Sequence, residues 1–546
     1  MDMDFEKKGS SAPSSIERET ALQTEAYVIQ SQNPPTAEDE EKEAGLEQSG
    51  EQKPAASKAR LIILVLTVTG AAFLNTLAVQ ACVIVLQTIG KDLNIPESRQ
   101  QWVISAYSLT FGCFLLLWGR LADVYGKRLI FIWGSSWVTA TTIAIPFVDN
   151  EIGFDVLRGL QGLGAAANVP TAIGILGVTF PPGKAKNYAF SCYGAGAPMG
   201  SIFGNLMGGL IGGYLTWKWV FWILAILAAI VTAAGYFLIP VPLITASSAE
   251  GPKAAVDWIG GTLITVGLLA LMFALTEGNV VGWNTLWVPV LIVVSIILIG
   301  LFVIWQWWLE MKTTRRPLMK VSIFNNLKFS AAMVTMLFFF ASFNNYLIFA
   351  TYFFQEYQGL SAIQTTLRFI PTGVCGVLVA IVTANILSRI RGNHILMFGT
   401  LATSVSALLF AVPIPPHTSY WAWSFPAMVL AVCGADTVYP SLTLFTAHAL
   451  PQEDQALGGA LVNAVGQVGR AIGLAIGTAV QTAVVANKKG VKIKDVGRAG
   501  LSNKHDTAYL DGLRAAEWLN FALGIAACAV AGFAMRKTGI LGAKKH

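Results

Sequence analysis

Residues 119–128 read GRLADVYGKR. The apolar run WVISAYSLTFGCFLLLW (102–118) precedes this stretch, and LIFIWGSSWVTATTIAIPFV (129–148) follows it. Arg120, Asp123, Lys127 and Arg128 therefore stand in a short turn between two oil-soluble stretches. A helix of roughly 18 or more apolar residues can cross a ~30 Å hydrocarbon core. In lipid only helices and closed barrels satisfy the backbone, and runs this long are helical. The turn reads as a loop between two membrane helices, with Gly119 and Gly126 allowing close approach and a tight reversal.

Working outward, the same pattern repeats. Of the 546 residues, 54% are apolar and 12% charged, against about 25% charged in a soluble domain. Spans are expected to begin near Leu61, Trp102, Leu129, Ile152, Tyr188, Trp217, Trp258, Leu286, Phe329, Ile363, Ile395, Trp421, Leu457 and Leu513. The fold class is an all-α polytopic membrane protein with 14 spans. Residues 1–58 carry a net charge of −7 and are rich in Ser, Gln, Pro and Glu, the composition of a disordered acidic tail. Residues 59–546 carry +13. That excess lies in alternate loops, so it orients helices rather than binding nucleic acid. All six cysteines fall inside apolar runs without metal spacing and read as small apolar residues.

Lys58 and Arg60, Arg120, Lys127 and Arg128, Lys184 and Lys186, Lys312, Arg315, Arg316 and Lys320, Arg389 and Arg391, and Arg536 and Lys537 fall on one side of the membrane on this count. The opposite loops DNEIGFD, EGNVVGWN, QEYQGLS and PIPPHTS lack Lys and Arg. The positive-inside rule then places both termini in the cytosol. The basic stretch 487–512 falls outside on this count, against the trend. Asp123 adds nothing to orientation and needs a cationic partner or a helix N-terminus.

GRLADVYGKR resembles the signature loop of the major facilitator superfamily, with Val124 where a base is usual. LRGLQGLGAAA (157–167) resembles its fourth-helix motif, with Arg158 in the arginine position. GAGAPMGSIFGN (194–205) is similar to the fifth-helix antiporter motif. Gly196, Gly200 and Gly204 match it; Ser201 and Asn205 depart from it. DWIGGTLITVGLLALMFALTEG (257–278) resembles the extra helix pair of fourteen-span members. FLNTLAVQACVIVLQTIGKDL (73–93) resembles the fungal drug:proton antiporters, in the branch of aminotriazole and boron-resistance exporters and low-affinity ammonium transporters. Many of those relatives carry an Asp where this chain has Ala78, so a first-span carboxylate is excluded here. The resemblance implies the major facilitator fold: a six-helix bundle at 59–239, a linker with two extra helices at 240–327, a second bundle at 328–538, and cytosolic tails at 1–58 and 539–546. NILSRIRGNH (385–394) repeats the opening loop weakly in the second half. The resemblance also makes Gly119, Arg120, Asp123, Gly126, Lys127 and Arg128 a cytosolic gate, beside the plainer reading of a hairpin ion pair.

Charges kept inside a membrane invite a functional reading. Asp436 falls near the middle of the twelfth span, Arg470 near the middle of the thirteenth, and Arg158 in the outer part of the fourth. These are the candidate proton-coupling residues. Glu277, Glu310, Glu356 and Glu517 are placed near span ends. Asn463, Gln467, Arg470, Gly477 and Gln481 recur at helical steps and share one face. Asn75, Thr76, Gln80 and Gln87 form a second stripe, and Asn344, Asn345 and Tyr346 a third. Asn75, Gln80, Asn344, Asn345, Asn463 and Gln467 are candidate cavity residues, with helix–helix glue an equal alternative. No Walker loop, catalytic constellation, cofactor motif or paired histidine is present in the sequence. The expected activity is proton-coupled export of small molecules, drug, xenobiotic or secondary metabolite, by a monomer in the plasma membrane. The partners are the bilayer, the substrate and protons. Low-affinity uptake of a small polar solute such as ammonium is the alternative, and a non-transporting membrane sensor a further one.

Overall fold

The computed structural model describes residues 58–95, 102–181, 183–240, 256–313, 315, 317–451, 454–491, 505–536 and 539–540. Nearly all of the expected acidic tail, the 240–257 connection apart from its ends, residues 492–504 of the basic loop and the last six residues lie outside them. Fourteen long α-helices follow one another: α1 (Lys58–Asp92), α2 (Trp102–Tyr125), α3 (Lys127–Ala144), α4 (Glu151–Thr179), α5 (Lys184–Tyr214), α6 (Lys218–Leu238), α7 (Trp258–Val281), α8 (Trp287–Lys312), α9 (Leu327–Tyr352), α10 (Ala362–Ile386), α11 (Gly392–Ala411), α12 (Ser424–Ala449), α13 (Gln455–Lys489) and α14 (Thr507–Ala534). Each contains one of the expected spans or starts within a few residues of it. Among the described residues, thirteen helices are long and apolar enough to cross a membrane. The other, α5, has 31 residues, and its glycines pack it into the bundle. The only β pairing described is the isolated bridge between Arg391 and Ile540.

Local chemistry sets many of the boundaries. A helix N-terminus leaves backbone N–H groups without partners, and short polar side chains satisfy them. Asn150 accepts from Gly153 at α4, Asp257 from Gly260 at α7, and Asn326 from Lys328 at α9. Ser361 and Gln364 cap α10 reciprocally. Between α2 and α3 the chain reverses through Gly126 at φ +103°, a conformation costly for any residue with a Cβ.

Packing then groups the helices. In the first half α4 lies against α2 and α3, and α3 against α6. Gly196, Gly200, Gly204 and Gly208 of α5 lie against Thr69, Phe73, Leu77 and Ala81 of α1, so the two backbones approach closely. In the second half α14 packs on α9, α11 and α13, and α12 on α10 and α11. Helices α7 and α8 pair with each other and join the rest through α2 and α13. The halves meet where α13 crosses α2 and α4, and where α5 crosses α10 and α12.

Candidate functional site: a gate and isolated charges at the seam

At the end of α13 that carries Gln455, local capping fails. Asp454 occupies the N-cap position, but its side chain makes no capping bond. It pairs instead with Arg120 of α2, Nη1 to Oδ1 at 3.2 Å. The missing cap comes from the other half of the chain. The two carboxylate oxygens of Asp123 accept the backbone N–H groups of Ala456 at 3.2 Å and Leu457 at 2.8 Å. Lys127 holds the same carboxylate at 2.8 Å, and the Asp123 side chain is 2% exposed. A carboxylate on a helix N-terminus is favoured by both hydrogen bonding and the helix dipole. Gly119 makes the approach possible, because a Cβ there would strike Ala460. Of the residues expected to form a gate, Gly119, Arg120 and Asp123 thus meet the other half, and Lys127 pairs with Asp123. Arg128 turns away: it donates to the Tyr236 carbonyl at 2.7 Å and lies over that tyrosine ring, within the first half. Tyr188 of α5 bonds Asn385 of α10 at 2.9 Å, a further tie across the seam.

Inside the first half is a cavity of about 30 Å³ lined by Asn75, Tyr107, Ser135, Thr142, Gln161 and Asn168 among others, room for one or two waters. Tyr107 donates to Asn75. Arg158 is fully buried beside this cluster. It donates to the Val103 carbonyl at 3.1 Å and Gln161 at 2.6 Å and lies 4.8 Å from the Tyr107 ring centre. Gln80 donates to Ser201 of α5 at 2.9 Å, the glue reading for that amide.

Asp436 is the thirteenth of the 26 residues of α12 and is 3% exposed. Its Oδ2 has no hydrogen-bond partner among the described residues. A Cβ on Gly376 of α10 would lie 2.8 Å from that oxygen, with Pro198 of α5 beside it. The carboxylate therefore faces the α5–α10–α12 seam. Arg470 faces elsewhere: its guanidinium lies 4.4 Å from the Phe340 ring centre, on α9. No ion pair between Asp436 and Arg470 is described.

The polar face expected along α13 divides among several neighbours. Gln467 lies near Gly112 of α2, Gly477 against Phe349 of α9, and Gln481 beside Gly512 of α14. Asn463 accepts from Tyr439 at 3.3 Å and donates to Gly459 at 2.9 Å. Asn345 is fully buried against Gly473, while Asn344 is half-buried. Glu517 corrects an expectation. It is the eleventh residue of α14 and 2% exposed, with Asn520 donating to it at 3.1 Å. The helix begins six residues before the apolar run because Asp506 caps it, accepting from Ala508 and Tyr509.

The chain matches the family model of the Major Facilitator Superfamily over residues 68–474. The chain belongs to that superfamily. This facilitator is 30% identical to a low affinity ammonium transporter of Saccharomyces cerevisiae, over 70% of its own length and 73% of the relative's. It is 29% identical to efflux pump terJ of Aspergillus terreus, over 70% and 73%. Its fold matches the human organic anion transporter MFSD10 (TETRAN) with TM-score 0.58 at 14% identity, covering 86% of this chain and 99% of that one. The sequence resemblance to fungal efflux and ammonium-transport relatives is borne out. The protein is a multi-pass membrane transporter acting on small molecules.

Proposed function

We propose that this facilitator exports small organic molecules against their gradient in exchange for protons, with Asp436 carrying the coupling proton. The observation that supports this most is the carboxylate's place: mid-helix, buried, with one oxygen unpartnered at a seam between the halves. A group so placed changes its surroundings when the halves move, which links proton binding to conformation. Arg158 and Arg470 serve as fixed positive centres, and neither pairs with Asp436 in this conformer. The relatives named as efflux pumps favour export. The protein works as a monomer in the plasma membrane, with both ends and the Asp123 gate facing the cytosol.

The test is a substrate panel in sealed vesicles with an imposed pH gradient, repeated with the gradient collapsed. Asp436→Asn keeps shape and loses titration. The variant should reach the membrane and exchange substrate down its gradient, yet fail to concentrate it. Accumulation as steep as wild type would remove Asp436 from the mechanism. The similarity to an ammonium transporter favours a second reading, low-affinity uptake of a small polar solute. Inward flux indifferent to the pH gradient would select it.

A further inference from the structure

We propose that Arg470 is the anion-recognising corner of the substrate site, so that this facilitator takes organic acids: an apolar body bearing a carboxylate or similar anionic group. The inference rests on the reading that the space between the halves receives the substrate. Its first support is a comparison among arginines of the same chain. Arg120 has Asp454, Arg128 the Tyr236 carbonyl, Arg158 the Val103 carbonyl and Gln161, Arg368 Gln358, and Arg514 the Ile414 carbonyl. Arg470 has no hydrogen-bond or ion-pair partner among the described residues, and its Nε is buried without an acceptor. Its guanidinium lies over the Phe340 face, with Tyr439 close by. A guanidinium in such a place demands an acceptor, because aromatic attraction replaces only part of its hydration.

Among the described residues nothing accepts from Arg470, and its neighbours suit a ligand that does. Tyr193 of α5 shares a hydrogen bond with Tyr439 of α12, Tyr439 donates to Asn463, and Asn463 donates to the Gly459 carbonyl. This cluster reaches from one half of the chain to the other, and its hydrogen bonds are made within it. Asp436 is turned to Gly376. Phe340 and Tyr439, edge to face at 6.1 Å between ring centres, provide apolar walls beside the charge. Arg470 is only partly buried, so its two terminal nitrogens remain free to bind. A planar fork with free N–H groups matches a carboxylate in bidentate fashion, which lysine cannot copy.

The test uses the full chain in detergent micelles at pH 7 with no ion gradient, so it reads binding alone. The probes are benzoate, benzamide and benzamidine, and the corresponding 2-naphthoate, naphthamide and naphthamidine. These keep the apolar body and change the charge from negative to neutral to positive. Wild type should bind at least one acid about tenfold or more tightly than its amide and amidine. Arg470→Gln should erase that preference, and Arg470→Lys should keep a reduced one. Equal or tighter binding of the neutral or positive member in both series overturns the proposal without needing any variant to fold. Retention of the full preference by Arg470→Gln also overturns it. An acid preference in micelles without proton-driven accumulation in vesicles would leave the anion site standing and remove the coupled-export reading instead.

Discussion

At the scale of single residues, Asp123 carries the most consequence. It supplies the capping acceptors of a helix that begins 332 positions later, and its charge is shared between Lys127 and two backbone N–H groups. Hydrogen bonds to a charged group contribute about 1.5–3 kcal/mol each. Asp123→Asn keeps an acceptor and loses the charge, so the closed gate should lose about tenfold or more in population. Transport should fall while the amount at the cell surface stays near normal, measured by flux and surface labelling on the same cells. Unchanged flux would leave the loop as a topological anchor alone. The sequence made Asp123 legible because an acid in a basic turn has no role in orientation. It could not show that Arg128 serves its own half, since Tyr236 offers a backbone carbonyl and any residue type carries one. The placement of Glu517 near a span end fails for a related reason. Hydropathy begins a span where apolar residues begin, whereas the helix begins where Asp506 caps it.

At the scale of elements, the helices were readable because each must be long and apolar. Their neighbours were not. The polar residues of α13 follow three- and four-residue steps, but a 35-residue helix crosses α2 and α4 near one end and α9 and α14 further along. One stripe therefore meets several partners. The glycines were better guides. Gly469 lies against the Leu337 backbone and Gly473 against Ala341, so α9 and α13 touch main chain to main chain. Gly469→Val should cost about 1–3 kcal/mol by overpacking, seen as a lower melting temperature of the purified protein. Gly300 of α8 has open space around it, and Gly300→Ala should melt at or above wild type. Equal losses at both positions would mean that glycine acts there through backbone conformation and not through close contact.

At the scale of the whole molecule, the Asp123 cap and the Tyr188–Asn385 hydrogen bond both tie the two halves together. Tyr188→Cys with Asn385→Cys, joined by a short bifunctional thiol reagent in a background lacking the six native cysteines, should hold the halves together there. Flux should stop and return when the link is reduced. Continued flux with the link intact would show that the halves need not part there. The expected grouping into two bundles came from the family resemblance and not from periodicity, which says nothing about which helix lies beside which. The one internal clue, the weak repeat at 385–394, marks the turn where Gly392 donates to the Gly539 carbonyl, so residues 539–540 lie against that turn.

A helix capped from a distant part of the chain loses its cap whenever the two parts separate. While the gate is shut, the amide hydrogens of Ala456 and Leu457 are engaged by Asp123 and shielded from solvent. When it opens, both face water, and Asp454 gains the freedom to replace the lost carboxylate only by releasing Arg120. Exchange of these two amides with deuterium therefore counts openings of the gate, and a substrate that drives the cycle should speed their labelling in proportion to turnover.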